Sequence, residues 1–180
     1  MEVIELSLKD AKLIKPRRFK DDRGFFQQSY HFKTYAAEGI ETSFIQDNWS
    51  RSSRGVLRGL HYQIQKPQAK LVSVTRGEVY DVLIDMRENS PSFGQWKGVH
   101  LSEENGHQLF VPRGFAHGFC VLSETVDFVY KCDAFYDAND EAGIRWNDQT
   151  ISIQWPAEMK FLVSEKDQAL PLFNDAIKFT

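Results

Sequence analysis

The chain has 180 residues, 42% of them hydrophobic and 26% charged, the balance of one globular unit able to bury a core. A net charge of −3 excludes a broad nucleic-acid footprint, though a local Lys and Arg cluster could still hold one phosphate group. No apolar run reaches the roughly 20 residues of a membrane helix, and Met1–Leu6 lacks the basic and apolar regions of a signal peptide.

In chain order, the spacing predicts a short helix over residues 31–38, ended by Gly39. Arg58 and His61 cannot both face inward on a regular strand, and Gly59 between them could host a bulge that re-aims one. Lys70 shares parity with Val72 and Val74 and is expected to point inward, which is costly for an ammonium without a partner or a task. Thr75–Glu78 reads as a hairpin turn between two apolar runs. From Tyr80 to Met86 the residues alternate as a strand. His117 shares parity with Phe115, Phe119 and Val121 on an interior face. Tyr130 lies with Val126, Phe128 and Cys132 on one face of a strand over 126–132. A second helix is expected over 169–178, with Pro171 in its first turn. The many short strands predict a mainly β sandwich or barrel forming one domain over residues 1–180. Cys120 and Cys132 have no metal-like spacing and are expected as core thiols in a reducing cytoplasm. His31, His100 and His107 match no motif and are expected at the surface.

Three ionisable groups, Lys70, His117 and Tyr130, are thus aimed into an apolar barrel. The segment Gly106–His117 resembles the second signature of the cupin jelly-roll superfamily, with Val121 where an Asn often follows. The first signature normally carries His-x-His and a Glu; here only His61 is present, followed by Tyr62 and Gln63. A metal site of that kind needs about three protein ligands, so no metal and no cofactor are expected. Both histidines are then free for acid–base work.

The chain resembles the dTDP-4-dehydrorhamnose 3,5-epimerase family, whose fold is a cupin-type double-stranded β-helix with short flanking helices. The matching segments are Asp22–Phe26, Phe44–Asn48, Val56–Gln63, Lys70–Val72, Arg76–Val82 and Ser90–Trp96. Val111–Phe119, Val129–Lys131, Gly143–Asp148 and Ser164–Asp167 complete them. Any one segment is weak; the ordered set spans nearly the whole chain.

The resemblance implies inversion at C3 and C5 of dTDP-4-dehydro-6-deoxy-D-glucose. His61 matches the base, a role that contributes roughly 10²–10⁴-fold, and Asp167 the carboxylate that orients it. Lys70 matches the cation near the keto oxygen, where one donor is worth about 3–4 kcal/mol. Tyr130 matches the acid on the opposite face. Arg23, Gln46, Asp47, Asn48, Arg58, His117, Glu141 and Lys166 fall at substrate-binding positions, with Phe19 and Tyr136 as stacking partners for thymine. A homodimer with a pocket shared between subunits is implied; nucleic acid and membrane are not expected as partners. Each residue also has a plainer reading: His61 as a core histidine, Tyr130 as a core aromatic, Asp167 as a helix cap, Lys70 as an edge charge and Glu141 as a solvated loop residue.

One position departs from the family. Gln28 stands where Glu is common, keeping size but losing charge. It leaves open a single-carbon epimerase of another dTDP-deoxysugar route. The degenerate signatures also leave a metal-dependent cupin oxygenase or isomerase and a passive sugar-binding cupin as alternatives, the last opposed by the inward Lys and Tyr.

Overall fold

Alternating apolar residues build two facing sheets. The computed structural model describes residues 1–156 and 159–180. Its elements are β1 (Glu2–Glu5), β2 (Lys12–Lys15), β3 (Arg18–Asp21), β4 (Gly24–Gln27), α1 (Phe32–Ala36), β5 (Gln46–Ser53), β6 (Val56–Gln63) and β7 (Lys70–Arg76). They continue with β8 (Glu78–Asp85), β9 (Trp96–Ser102), β10 (Gln108–Val111), β11 (Phe115–Val121), β12 (Thr125–Cys132), β13 (Glu141–Gly143), β14 (Leu162–Val163) and α2 (Glu165–Gln168). One sheet has the order β1-β2-β10-β7-β12-β5. The other runs β13-β6-β11-β8-β9, with β14 beside β6, and β3-β4 is a separate hairpin. This is the mainly β jelly roll expected, with two short helices.

The inner faces meet in a core that includes Val72, Val74, Leu109 and Phe128 from the first sheet and Val79, Leu83, Phe115 and Phe119 from the second. Both sheets are also covered outside. The C-terminal region packs Ile144, Ile151 and Phe173 on Leu60, Val82 and Ile84. Around α1, Tyr35 and Ile40 pack on Ile14, Leu71 and Phe110. The Tyr80–Met86 alternation is therefore real, yet both of its faces are buried. Both cysteines are free and buried.

Two expectations need correction. Thr75–Glu78 is no hairpin: β7 pairs with β10 and β12, whereas β8 pairs with β9 and β11. The chain crosses between sheets at Gly77, whose φ is +77°. A Cβ there would lie 2.2 Å from the Thr125 carbonyl oxygen, so the corner needs glycine. Residues 169–178 form no long helix. Tertiary partners take their backbone groups: Asp148 Oδ2 accepts from Phe173 N at 2.7 Å and Arg145 N donates to the Pro171 carbonyl. The helix lies earlier, over Glu165–Gln168, where Ser164 Oγ accepts from Asp167 N. The first helix stands near its expected place, capped by His31. Of the histidines expected at the surface, His31 and His100 are exposed and His107 is half-buried. No helix among the described residues is long and apolar enough to cross a membrane.

Candidate active site

Between the two sheets lies a cavity of about 680 Å³, a size typical of small-molecule sites. Its lining includes Arg58, His61, Lys70, His117, Tyr130 and Asp167. The bulge that β6 needed is present. Pairing with β11 runs from His117↔His61 to Phe119↔Arg58, so β6 carries one extra residue. Gly59 sits in it at φ +107°, and a Cβ would come within 2.7 Å of the His117 carbonyl oxygen. The bulge brings both Arg58 and His61 to the cavity.

His61 Nε2 is 2.7 Å from Asp167 Oδ1. Asp167 Oδ2 accepts from Gly59 N at 3.1 Å, so both carboxylate oxygens are held. Burial raises this carboxyl, but His61, the Gly59 N–H and Ser164 outweigh it and keep it below its ordinary value. An ionised Asp167 fixes the ring and leaves His61 Nδ1 as the nitrogen it does not engage. Asp167 is thus the partner of His61 and not the cap of the following helix.

Lys70 and Tyr130 come from the opposite sheet, on β7 and β12. Among the described residues, neither the Lys70 ammonium nor the Tyr130 hydroxyl has a hydrogen-bond partner. Burial pulls Lys70 below its ordinary value, against nearby Cys132, Asp81 and Glu141. Burial pushes Tyr130 up, so its phenol keeps its proton at neutral pH. The inward parity read from sequence holds for both, and for His117. His117 Nε2 is 2.8 Å from Asp81 Oδ1. Burial drives Asp81 above the ordinary carboxylate value, against the pull of His117 and Lys70, and its Oδ2 is buried without a partner.

A polar rim surrounds this centre. Glu141 Oε1 is 2.8 Å from Lys166 Nζ and 3.8 Å from His61 Nε2, and its Oε2 accepts from the Tyr136 hydroxyl at 2.5 Å. Arg58 donates to Ser52 Oγ at 3.0 and 3.1 Å. Gln46 and Asn48 face the cavity from β5.

Four expected binding residues are not brought there within one chain. Asp47 points to the other face of β5, because side chains alternate, and pairs with Lys131 at 2.8 Å. Phe19, Arg23 and Gln28 are exposed on or beside the β3-β4 hairpin; Arg23 pairs with Asp21. Sequence reasoning missed Asp81, Gln63 and Ser52. Asp81 shares parity with Val79 and Leu83, the same signal that marked Lys70. Among the described residues no group of three or more His, Cys, Asp or Glu side chains is placed for a metal. His61 and His117 each have Nε2 committed to an aspartate.

Comparison with known proteins gives consistent matches. The family model described as dTDP-4-dehydrorhamnose 3,5-epimerase matches residues 5–175. A dTDP-4-dehydrorhamnose 3,5-epimerase of Pseudomonas aeruginosa is 51% identical over 177 residues, covering 98% of each chain. The crystal structure of an enzyme of that name from Elizabethkingia anophelis is 49% identical with a TM-score of 0.92, covering 97% of each chain. A dTDP-6-deoxy-D-glucose-3,5-epimerase of Legionella pneumophila, solved with dTDP-4-keto-L-rhamnose, is 48% identical with a TM-score of 0.94. That match covers 97% of this chain and 93% of the other.

Proposed function

This chain belongs to the dTDP-4-dehydrorhamnose 3,5-epimerase family, a family of isomerases, and we propose that it inverts C3 and C5 of dTDP-4-dehydro-6-deoxy-D-glucose without a cofactor. The observation that carries the reading is the pairing of His61 with Asp167 on one wall, opposite a Lys70 ammonium and Tyr130 hydroxyl without a hydrogen-bond partner among the described residues on the other.

The chemistry follows from these positions. The C4 ketone makes the hydrogens on C3 and C5 acidic. His61, its ring oriented by Asp167, takes one proton as the C–H bond breaks and the electron pair moves to the ketone oxygen. Lys70 stabilises the resulting enolate oxygen electrostatically. Tyr130 returns a proton to the opposite face of the same carbon, and exchange with solvent resets both groups. The cycle repeats at the second carbon. His117, held by Asp81, with Arg58 and Lys166, supplies positive or hydrogen-bonding groups for the diphosphate and sugar. Tyr136 stacks on the thymine.

We further propose a homodimer. The hairpin exposes Phe19, Phe25 and Phe26, and Trp49 is 70% exposed on the outer face of β5. Phe25 and Trp49 line a groove of about 590 Å³ together with Leu71 and Val129, while Phe19 and Phe26 pair on the other face of the hairpin. Large exposed aromatics beside an apolar groove favour a protein interface. In that dimer the hairpin serves the partner's cavity, giving Phe19, Arg23 and Gln28 a ligand they lack within one chain.

The test is incubation with dTDP-4-dehydro-6-deoxy-D-glucose in D₂O, followed by NMR. Deuterium is expected at both C3 and C5, with turnover reduced roughly 10²–10⁴-fold in His61→Ala. Label at one carbon only overturns the two-carbon reading. Label at neither overturns the epimerase reading.

A further inference from the structure

We propose that Gln63 is a positioning residue: its buried amide clamps the loop that presents Tyr136, so that an aromatic platform stands ready for the nucleotide base. This rests on the dTDP-sugar reading above and adds to it a residue with no assigned role.

Gln63 is 3% exposed and lies two residues beyond His61 on β6. Its Nε2 donates to the carbonyls of Lys66 at 2.9 Å and Phe135 at 3.2 Å. Its Oε1 accepts from Asp137 N at 2.8 Å. The bonds to Phe135 and Asp137 therefore bracket Tyr136. Between them, Tyr136 N donates to Gln46 Oε1 at 2.9 Å, while Gln46 Nε2 donates to Asn48. Three successive backbone groups of a loop without sheet partners are thus held by two side-chain amides. Gln46 belongs to β5 and Gln63 to β6, strands of opposite sheets. The Tyr136 hydroxyl is tied to Glu141 on β13.

An exposed tyrosine ordinarily samples several rotamers. Tyr136 is 53% exposed, yet it is fixed through its backbone and its hydroxyl. Fixing a stacking residue before the ligand arrives removes an ordering cost from binding. A glutamine buried beside the proposed base, with all its bonds to loop backbone, supplies that fixing. The proposed base and one of the clamps on the platform then sit two residues apart on β6.

The test measures thymidine diphosphate affinity by isothermal titration for the wild type, Gln63→Ala, Tyr136→Ala and the double variant. Gln63→Ala is expected to bind about three- to tenfold more weakly, the worth of one aromatic contact. The double variant should be no weaker than Tyr136→Ala alone. In turnover, KM rises by the same factor and kcat falls by less. If Gln63→Ala does not fold, Gln63→Glu replaces it: it keeps the acceptor for Asp137 N and sets a carboxylate against the Phe135 carbonyl. Wild-type affinity in the variant, losses that add in the double variant, or a fall in kcat alone overturns the clamp. A wild-type protein that does not bind thymidine diphosphate overturns the nucleotide reading of the cavity, and the clamp with it.

Discussion

At the His61 imidazole the deciding contact is with Asp167, 2.7 Å away and buried. Asp167 holds the ring by one nitrogen; on the proposed mechanism the other takes the substrate proton, while Tyr130 serves the opposite face. The two roles separate in a variant. Tyr130→Phe is expected still to exchange substrate hydrogen for solvent deuterium, since the base can return what it takes. Inversion should fall by at least about 10²-fold, the lower end of one acid's contribution. NMR of recovered substrate and product checks both; loss of exchange and inversion together counts against the assignment. Parity made Lys70, His117 and Tyr130 legible in the sequence, because apolar neighbours two residues away reveal the inner face. Parity also places Asp47 outside, against its family position. Gln63 went unread because Phe135 and Asp137, which its amide holds, are 72 or more residues away; Asp81 carried the parity signal, but its partner His117, 36 residues on, gave it its meaning.

Among the elements, the turn after β8 depends on one carboxylate. Asp85 is fully buried, accepts from Arg87 Nε and Nη2 at 2.9 Å, and also accepts from Ser90 and Ser92. Burial raises its carboxyl, but these donors outweigh it and hold it below the ordinary value. A depressed native value means stability that is complete above about pH 4, the unfolded value, and is lost as pH falls through the native one. Asp85→Asn is expected to cost about 2 kcal/mol at neutral pH. Its deficit should shrink as pH drops below about 4, measured by urea unfolding across pH. A deficit independent of pH would show that the charge is irrelevant there. Strands were legible because period-two alternation is local. The corner at Gly77 was not, since a turn between sheets and a turn within one use the same residues. The helix expected over 169–178 was overruled by Asp148 and Arg145, whose bonds a local pattern does not contain.

For the whole molecule, the hairpin poses a question of ownership. A shared pocket requires Arg23 and His61 of one working site to come from different subunits. Mixing Arg23→Ala subunits with His61→Ala subunits should then regain activity, because each mixed dimer holds one intact site. After random reassortment about half the dimers are mixed, so recovery should approach one quarter of wild-type activity. Assays after partial unfolding and refolding check this; no recovery, with dimers formed, places Arg23 outside the partner's site.

The two walls of the cavity belong to separate hydrogen-bonded sheets. Lys70 and Tyr130 hang from one, His61 and its bulge from the other. Heritable change can therefore act on one wall at a time. On the proposed mechanism, substitutions along β7 or β12 would alter how the enolate is held and where its proton comes back. Those along β6 would alter whether the proton leaves at all. On that mechanism selection would have two separate handles on one reaction, the base on one sheet and the acid on the other.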